Sequence, residues 1–541
     1  MMNKHEQINR VLIIGWDGAT WDYINPLLAD NRLPNLARLL DNGARATLRS
    51  TIPPYTNIAW PALVTGTRPN KTGVYDGARA LPNSYETVPT NLTGFRGVSI
   101  WQWVNEYGRT AGVLNVPMTY PAQPVDGYLI SGFDSPANAD DIAWPRHILN
   151  YWTTEGWPYH TLAEEIRLMS GQNPNQKRLP LADFVAGWET LTHDQGKMAA
   201  WLWRTHPVDL MFIVFSGTDS INHRTHEFEQ IARIYTAADE ALGTLLSVVE
   251  EDTLICLVSD HGSTPAHRYI ALNRILYEAG WLAFRPEIAR RFWQRLPGVL
   301  GQVLPNVWQS LPGWARRLIS APVLRYDGRF AIGSDNLDWP KTQVFARSSL
   351  GPLYINLEGR QPRGCVPEEA YEALCEAVRL KLLGLRDENG RSLFRQVWRT
   401  RELFPHTNPE DDVPDLIAEP ANWHDHMITG YPTDPIVRPI PADAEYGTHT
   451  PDGILVLHGP GVRKGVLLET ADIVDVVPTL LTAWGLPVPD ACDGRVLQAA
   501  FTEELAIEET AVSLPDQYSH PQTAEHAAEI IARLRALGYL E

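Results

Sequence analysis

The chain has 541 residues, 44% hydrophobic and 20% charged, a balance that builds a large folded core and rules out a disordered chain. Its net charge of −18 argues against a general nucleic-acid binder, which needs a broad basic face, but leaves a small anionic substrate open. The four cysteines, Cys256, Cys365, Cys375 and Cys492, contain no CxxC pair, so neither a disulfide framework nor a thiolate zinc site is expected.

The apolar run before Asp17 is too short for a signal peptide and leads straight into the fold. No stretch approaches the roughly 20 apolar residues of a membrane span, so the expected compartment is the cytoplasm. In chain order, RVLIIG (10–15) reads as a buried strand and LPNLARLLDNG (33–43) as a helix stopped by glycine. TAGVLNV (110–116) and PVDLMFIVFSG (207–217) read as strands, and residues 228–251 as a long amphipathic helix. DTLICLVSD (252–260) and DGILVLHGPGV (452–462) are further strands, and 471–486 a helix. Continuous apolar strands separated by helices predict an α/β fold, a mostly parallel central sheet covered by helices on both faces.

Between the two halves, residues 285–329 hold eight arginines against two acids, Glu287 and Asp327, interleaved with Trp293, Trp308 and Trp314. The segment reads as an inserted helical cap, either a solvated lid or a face for an anionic surface, including peripheral contact with a membrane. The expected division is therefore a discontinuous core of 1–268 and 340–502, an inserted cap of 269–339, and a helical tail of 503–541.

Polar residues collect at the predicted strand ends, where sheets of this kind place their active sites. The first strand runs into Asp17-Gly18, the strand at 207–217 into Asp219 with His223 four residues on, and the strand at 252–260 into Asp260-His261-Gly262. His449 precedes the strand at 452–462. Singly, Asp17 fits a turn, His223 competes with His226, and His449 has no weight alone. Jointly, aspartate and histidine side chains supply the oxygen and imidazole donors that hold a divalent metal. Asp260 and His261 are adjacent, so they serve one site only beyond the strand, where Gly262 lets the backbone turn. Thr56 follows Pro53-Pro54-Tyr55 at the start of a helical stretch. Its hydroxyl suits either a helix cap or a nucleophile whose proton a metal or base removes.

The Asp17-Gly18 pair, Thr56 to Gly66 ending in LVTG, GTDSINH, SDHG and the late GTH together resemble the alkaline phosphatase superfamily. The nearest branch is the type I phosphodiesterase/nucleotide pyrophosphatase group, with its bacterial phosphohydrolase/phosphomutase-like members. The resemblance implies two divalent metals, usually zinc, with manganese as the alternative. Asp17, Asp260, His261 and Thr56 would hold one, and Asp219, His223 and His449 the other. It further implies a phospho-threonine intermediate on Thr56 and a small phosphate-ester substrate, preferably a diester, with phosphomonoesterase or phosphomutase activity as the alternative. Those relatives carry an asparagine where this chain has Gly77, and Asn57 is the substitute donor nearest the nucleophile. A sulfatase is disfavoured because Cys365-Val-Pro-Glu-Glu lacks the required arginine. A phosphoglycerate-mutase-like enzyme would use serine and a larger intervening domain. The third reading, a catalytically silent binding protein, sits poorly with the full residue set. The oligomeric state is left open.

Overall fold

The computed structural model describes residues 8–80, 83–90, 94–133, 135, 141–149, 179–285, 336–408, 411–430, 435–440 and 447–511. One ten-stranded sheet organises the chain. Its strands are β1 (Arg10–Trp16), β2 (Gly43–Arg49), β3 (Ala111–Val116), β4 (Gly127–Ser131), β5 (Ala143–Trp144), β6 (Leu210–Phe215), β7 (Thr253–Val258), β8 (Asp452–His458), β9 (Val466–Leu467) and β10 (Ala471–Asp472). They lie in the order β9-β2-β8-β7-β1-β6-β3-β4-β5, with β10 also paired to β2.

Parallel pairings join β1 to β6 and β7, β3 to β4 and β6, and β2 to β9 and β10. The expected mostly parallel α/β sheet therefore forms. Two strands depart from it: β8 runs antiparallel to β2 and β7, and β5 antiparallel to β4.

Side-chain alternation along the strands explains why both faces are covered. Leu12, Ile14, Met211, Ile213, Phe215 and Leu257 pack on one side, under the helices Trp21–Ala29, Pro34–Asp41, Leu181–Thr205 and Phe228–Leu246. Val11, Ile13, Val113, Phe212, Val214 and Val258 pack on the other, under Thr56–Thr65, Ile100–Glu106 and Val476–Ala483. A strand buried on both faces must be apolar at every position, which is the run of residues seen in the sequence.

A second hydrophobic core, built by residues 270–282 and 337–427, stands apart from these two. Its four-stranded antiparallel sheet takes Val344–Ala346, Pro352–Ile355, Leu416–Pro420 and Phe394–Arg399 in that order, with the helix Glu368–Gly384 against it. The sequence grouping of 340–502 with the main core did not separate this unit. Of the proposed cap, 269–339, residues 286–335 with all of the arginine-rich stretch but Arg285 lie outside the described residues, as does 512–541 of the proposed tail. The described flanks of the cap, with the helix Leu272–Glu278, pack into this second core. Within 503–511 the one regular element is a two-residue strand, Glu509–Thr510, paired with Val488–Pro489. No helix among the described residues is long and apolar enough to cross a membrane.

The two cores meet through both apolar and polar contacts, with Tyr75 edge-on to Phe404 at 5.9 Å between ring centres. Arg96 forks onto Asp411 with bonds of 2.6 and 2.7 Å, and Tyr85 stacks on Trp339 at 3.5 Å between ring centres. Asp76 is buried at this junction, accepting from the Gly77 N–H at 2.7 Å and from the Tyr354 hydroxyl at 3.1 Å. Burial pushes its carboxyl up to about 6, against opposing help from Ser348 and Arg347. A carboxyl whose folded value is raised contributes stability that is complete below the ordinary aspartate range and is lost as pH rises toward and past 6. Asp76→Asn, fixed neutral, is expected to flatten the pH dependence of the unfolding free energy between about pH 4 and 7, by on the order of 2–3 kcal/mol. Parallel wild-type and variant profiles from denaturant titrations across that range would contradict this.

Candidate active site

Thr56 is the first residue of the helix Thr56–Thr65, after Tyr55 in extended backbone. It is wholly buried, and its hydroxyl makes no cap bond; Oγ1 instead lies 3.1 Å from Nε2 of His261. The capping role is therefore not the one the hydroxyl plays. The same helix turns Trp60, four residues on, toward β1, where its Nε1–H donates to Asp17 Oδ2 at 3.1 Å.

Asp17 follows β1, and Gly18 after it has φ +64°. A Cβ on Gly18 would stand 2.7 Å from Asp219 Oδ1, so glycine both permits the turn and admits that carboxylate. The Gly18 N–H donates to Asp260 Oδ1 at 3.1 Å. Asp260 and His261 lie beyond β7, as expected, but Gly262 serves a different purpose from the one foreseen. A Cβ there would fall 2.2 Å from the Asp452 carbonyl, so glycine is required by the close approach of another strand. The separate strand Gly447–Thr450 pairs antiparallel with Gly262–Pro265 and sets His449 opposite Ser263.

All seven predicted residues converge. His261 Nε2 lies 3.2 Å from Asp260 Oδ2 and 3.8 Å from Asp17 Oδ1. Asp219 Oδ2 lies 3.1 Å from His223 Nε2, and Asp219 Oδ1 lies 3.6 Å from His449 Nε2. The rings of His261 and His449 stack at 3.9 Å. Asn57 is buried in the first turn of the Thr56 helix. Grouped by proximity, the ligand atoms of Asp219, His223 and His449 lie within 4.8 Å of one another, and so do those of Asp17, Asp219 and His261. Asp219 thus belongs to both groups, which the sequence did not suggest, while Asp260 adjoins the second through His261.

The electrostatics explain how such a set coexists. Burial raises the carboxyls of Asp17 and Asp260, and like charge from Asp219 adds to it. Burial works the same way on Asp219, but His223, His449 and His261 outweigh it and hold that carboxyl well below the usual range. His449 is held well below the ordinary imidazole range by burial and by His261. Its Nδ1–H donates to the Pro54 carbonyl at 3.2 Å, which turns the Nε2 lone pair toward His223, 3.0 Å away.

A divalent cation fits this donor set. Asp17 Oδ1 and Asp260 Oδ2 are buried with no hydrogen-bond partner among the described residues, and imidazole lone pairs converge beside them. Sequence reasoning missed three supports: Tyr55, whose ring stacks on His449 at 5.6 Å, the Trp60 N–H, and Thr218, whose hydroxyl donates to the Asp17 carbonyl at 2.6 Å. The helical spacing of Trp60 from Thr56 was the one available signal.

Three solved structures share the arrangement of the chain. Phosphonoacetate hydrolase from Sinorhizobium meliloti 1021 matches with a TM-score of 0.55 at 14% identity, over 87% of this chain and 95% of that one. The alkaline phosphatase PafA matches with 0.53 at 13%, over 92% and 100%, and murine ectonucleotide pyrophosphatase/phosphodiesterase 5 with 0.51 at 13%, over 91% and 100%. No curated protein sequence matches the chain. Fold and family together define an alkaline phosphatase-like enzyme that hydrolyses phosphoric ester bonds. The chain belongs to the type I phosphodiesterase / nucleotide pyrophosphatase family, whose model matches residues 11–452.

Proposed function

We propose that the protein is a phosphodiesterase that works through a phospho-threonine on Thr56, with two divalent cations. Asp17, Asp260 and His261 hold one together with Thr56, and Asp219, His223 and His449 hold the other. Mixed imidazole and carboxylate donors suit zinc, and manganese accepts the same set. The supporting observation is the convergence of two carboxylate–imidazole groups on one buried hydroxyl, Thr56 Oγ1, at 3.1 Å from His261 Nε2. When bound, the cations lower the hydroxyl pKa and offset charge on the phosphoryl oxygens.

The chain's own residues do the rest. Thr56 Oγ1 loses its proton to solvent water and bonds to phosphorus, while the bond to the leaving oxygen breaks and that oxygen departs with a proton taken from water. Water then cleaves the phospho-threonine, restoring Thr56 and releasing the second product. Trp60 fixes the Asp17 carboxylate through one oxygen and leaves the other free to act. The Pro54 carbonyl orients His449, and the Gly262 carbonyl, 3.1 Å from His261 Nδ1, orients His261.

The family favours diesters over monoesters. Turnover of bis-p-nitrophenyl phosphate is expected to exceed that of p-nitrophenyl phosphate at least tenfold in kcat/KM, and chelation is expected to abolish both. Equal or faster monoester turnover would support the second reading, a monoesterase or mutase on the same site.

A further inference from the structure

Two buried donors beside this site have no assigned work. Asn115, near the carboxyl end of β3, is 1% exposed and sits at φ +58°, a left-handed conformation that costs a non-glycine residue free energy. Its amide nitrogen Nδ2 is buried with no hydrogen-bond partner among the described residues. Ser216, the first residue past β6, is also 1% exposed, and its Oγ is buried without a partner in the same sense. Buried donors are normally satisfied, so a pair of them left open in one place points to an acceptor that is not part of the protein.

Topology puts the pair together. β3 and β6 are neighbours in parallel register, Leu114 opposite Ile213, which sets Asn115 level with Val214 and Ser216 two residues further along the adjacent strand, about 8 Å from it. They also lie on the nucleophile's side of the sheet. Leu210, Phe212 and Val214 pack in the core that contains Ile58, Ala59 and Trp60 of the Thr56 helix, and Ser216, in helical backbone just past the strand, follows Val214 by two residues. Val113 and Val116, which bracket Asn115, belong to the same core. Three residues beyond Ser216 comes Asp219.

We propose that Asn115 Nδ2 and Ser216 Oγ form a substrate-binding pair that donates to a non-bridging oxygen of the phosphoryl group. An amide N–H and a hydroxyl set at strand ends, with no cationic side chain needed, are the donors an anionic oxygen takes in a buried site. The strained backbone at Asn115 is retained because it aims the amide into that space. The assignment rests on the phosphoester chemistry proposed above.

The test uses the full-length, zinc-loaded protein and three variants. Asn115→Asp and Asn115→Gly both tolerate a left-handed φ, and Ser216→Ala removes the hydroxyl alone. Expected on bis-p-nitrophenyl phosphate are losses of about 10²- to 10³-fold in kcat/KM for each Asn115 variant. The loss for Ser216→Ala is about tenfold, that of one neutral hydrogen bond. Replacing a non-bridging oxygen of the substrate by sulfur should slow the wild type more than the variants, which have already lost the bond. Thermal midpoints of Asn115→Gly and Ser216→Ala should stay within about 2 °C of wild type, because Nδ2 and Oγ have no hydrogen-bond partner among the described residues, whereas Asn115→Asp buries a charge and should melt lower. Wild-type kcat/KM in both Asn115 variants would overturn the proposal. So would a lower midpoint of Asn115→Gly together with an unchanged sulfur effect, since that marks a structural amide. Inorganic phosphate gives an arm that needs no turnover: it should raise the wild-type midpoint and fail to raise that of Asn115→Gly, which removes the donor without adding a charge. Equal shifts overturn the donor pair even if the diesterase reading holds. A wild type that binds phosphate through Asn115 yet ignores diesters contradicts only the diesterase reading.

Discussion

Thr56→Ala is expected to lower kcat on every phosphate ester by about 10⁴- to 10⁶-fold while leaving the protein folded. The hydroxyl is wholly buried and its contact is with His261 Nε2, so alanine removes one oxygen and one methyl group and leaves no bulky void. Alanine is also well accepted at the first position of a helix, where no cap bond is lost. Thr56→Ser keeps the attacking oxygen and should retain much of the activity. Steady-state kinetics of the two variants, with circular dichroism to confirm folding, distinguishes nucleophile from bystander. Alanine-variant activity within tenfold of wild type would exclude a covalent step at Thr56.

The second large effect is expected at Asp219. Its carboxylate is a ligand of the cation held with His223 and His449 and lies beside the other group, so Asp219→Asn should empty the first position, weaken the second, and reduce kcat/KM by about 10³-fold or more. Asparagine has the size of aspartate, which matters because Gly18 packs directly on this side chain. In the metal-free protein the same change removes the anion facing His223, His449 and His261, and with it the attraction that holds this carboxyl below the usual range. The sign with pH follows from the depressed carboxyl. Its stabilising contribution is present above the ordinary aspartate range and is lost as pH falls through the lowered value, so the variant should lack that acid-side loss. Metal analysis by mass spectrometry checks the first part. A variant that still carries two ions per chain at wild-type affinity would show that Asp219 is not a ligand.

Much of the scaffold was legible because its strands are buried on both faces. β1, β6 and β7 are apolar at nearly every position, and their ends fall within a few residues of the predicted ones. The same property hid the direction of β8: a strand buried on both faces has the same composition whether it runs parallel or antiparallel. The second core was not legible at all. Its strands Val344–Ala346 and Pro352–Ile355 are three and four residues long, too short to show a period. In the site, residue type and strand-end placement marked out the ligands. Their sharing is a matter of distances between segments far apart in the chain, as between Asp17, Asp219 and His261. The role of Gly262 was misjudged for a related reason, since the strand that crowds it begins 190 residues later, at Asp452.

The most direct test of the bimetallic pocket is an anomalous-difference map from crystals of the wild-type protein grown with zinc. Two peaks are predicted, one bounded by Asp17, Thr56, Asp260 and His261, the other by Asp219, His223 and His449. A map with no peak among these residues, or with its peaks elsewhere on the molecule, would contradict the account.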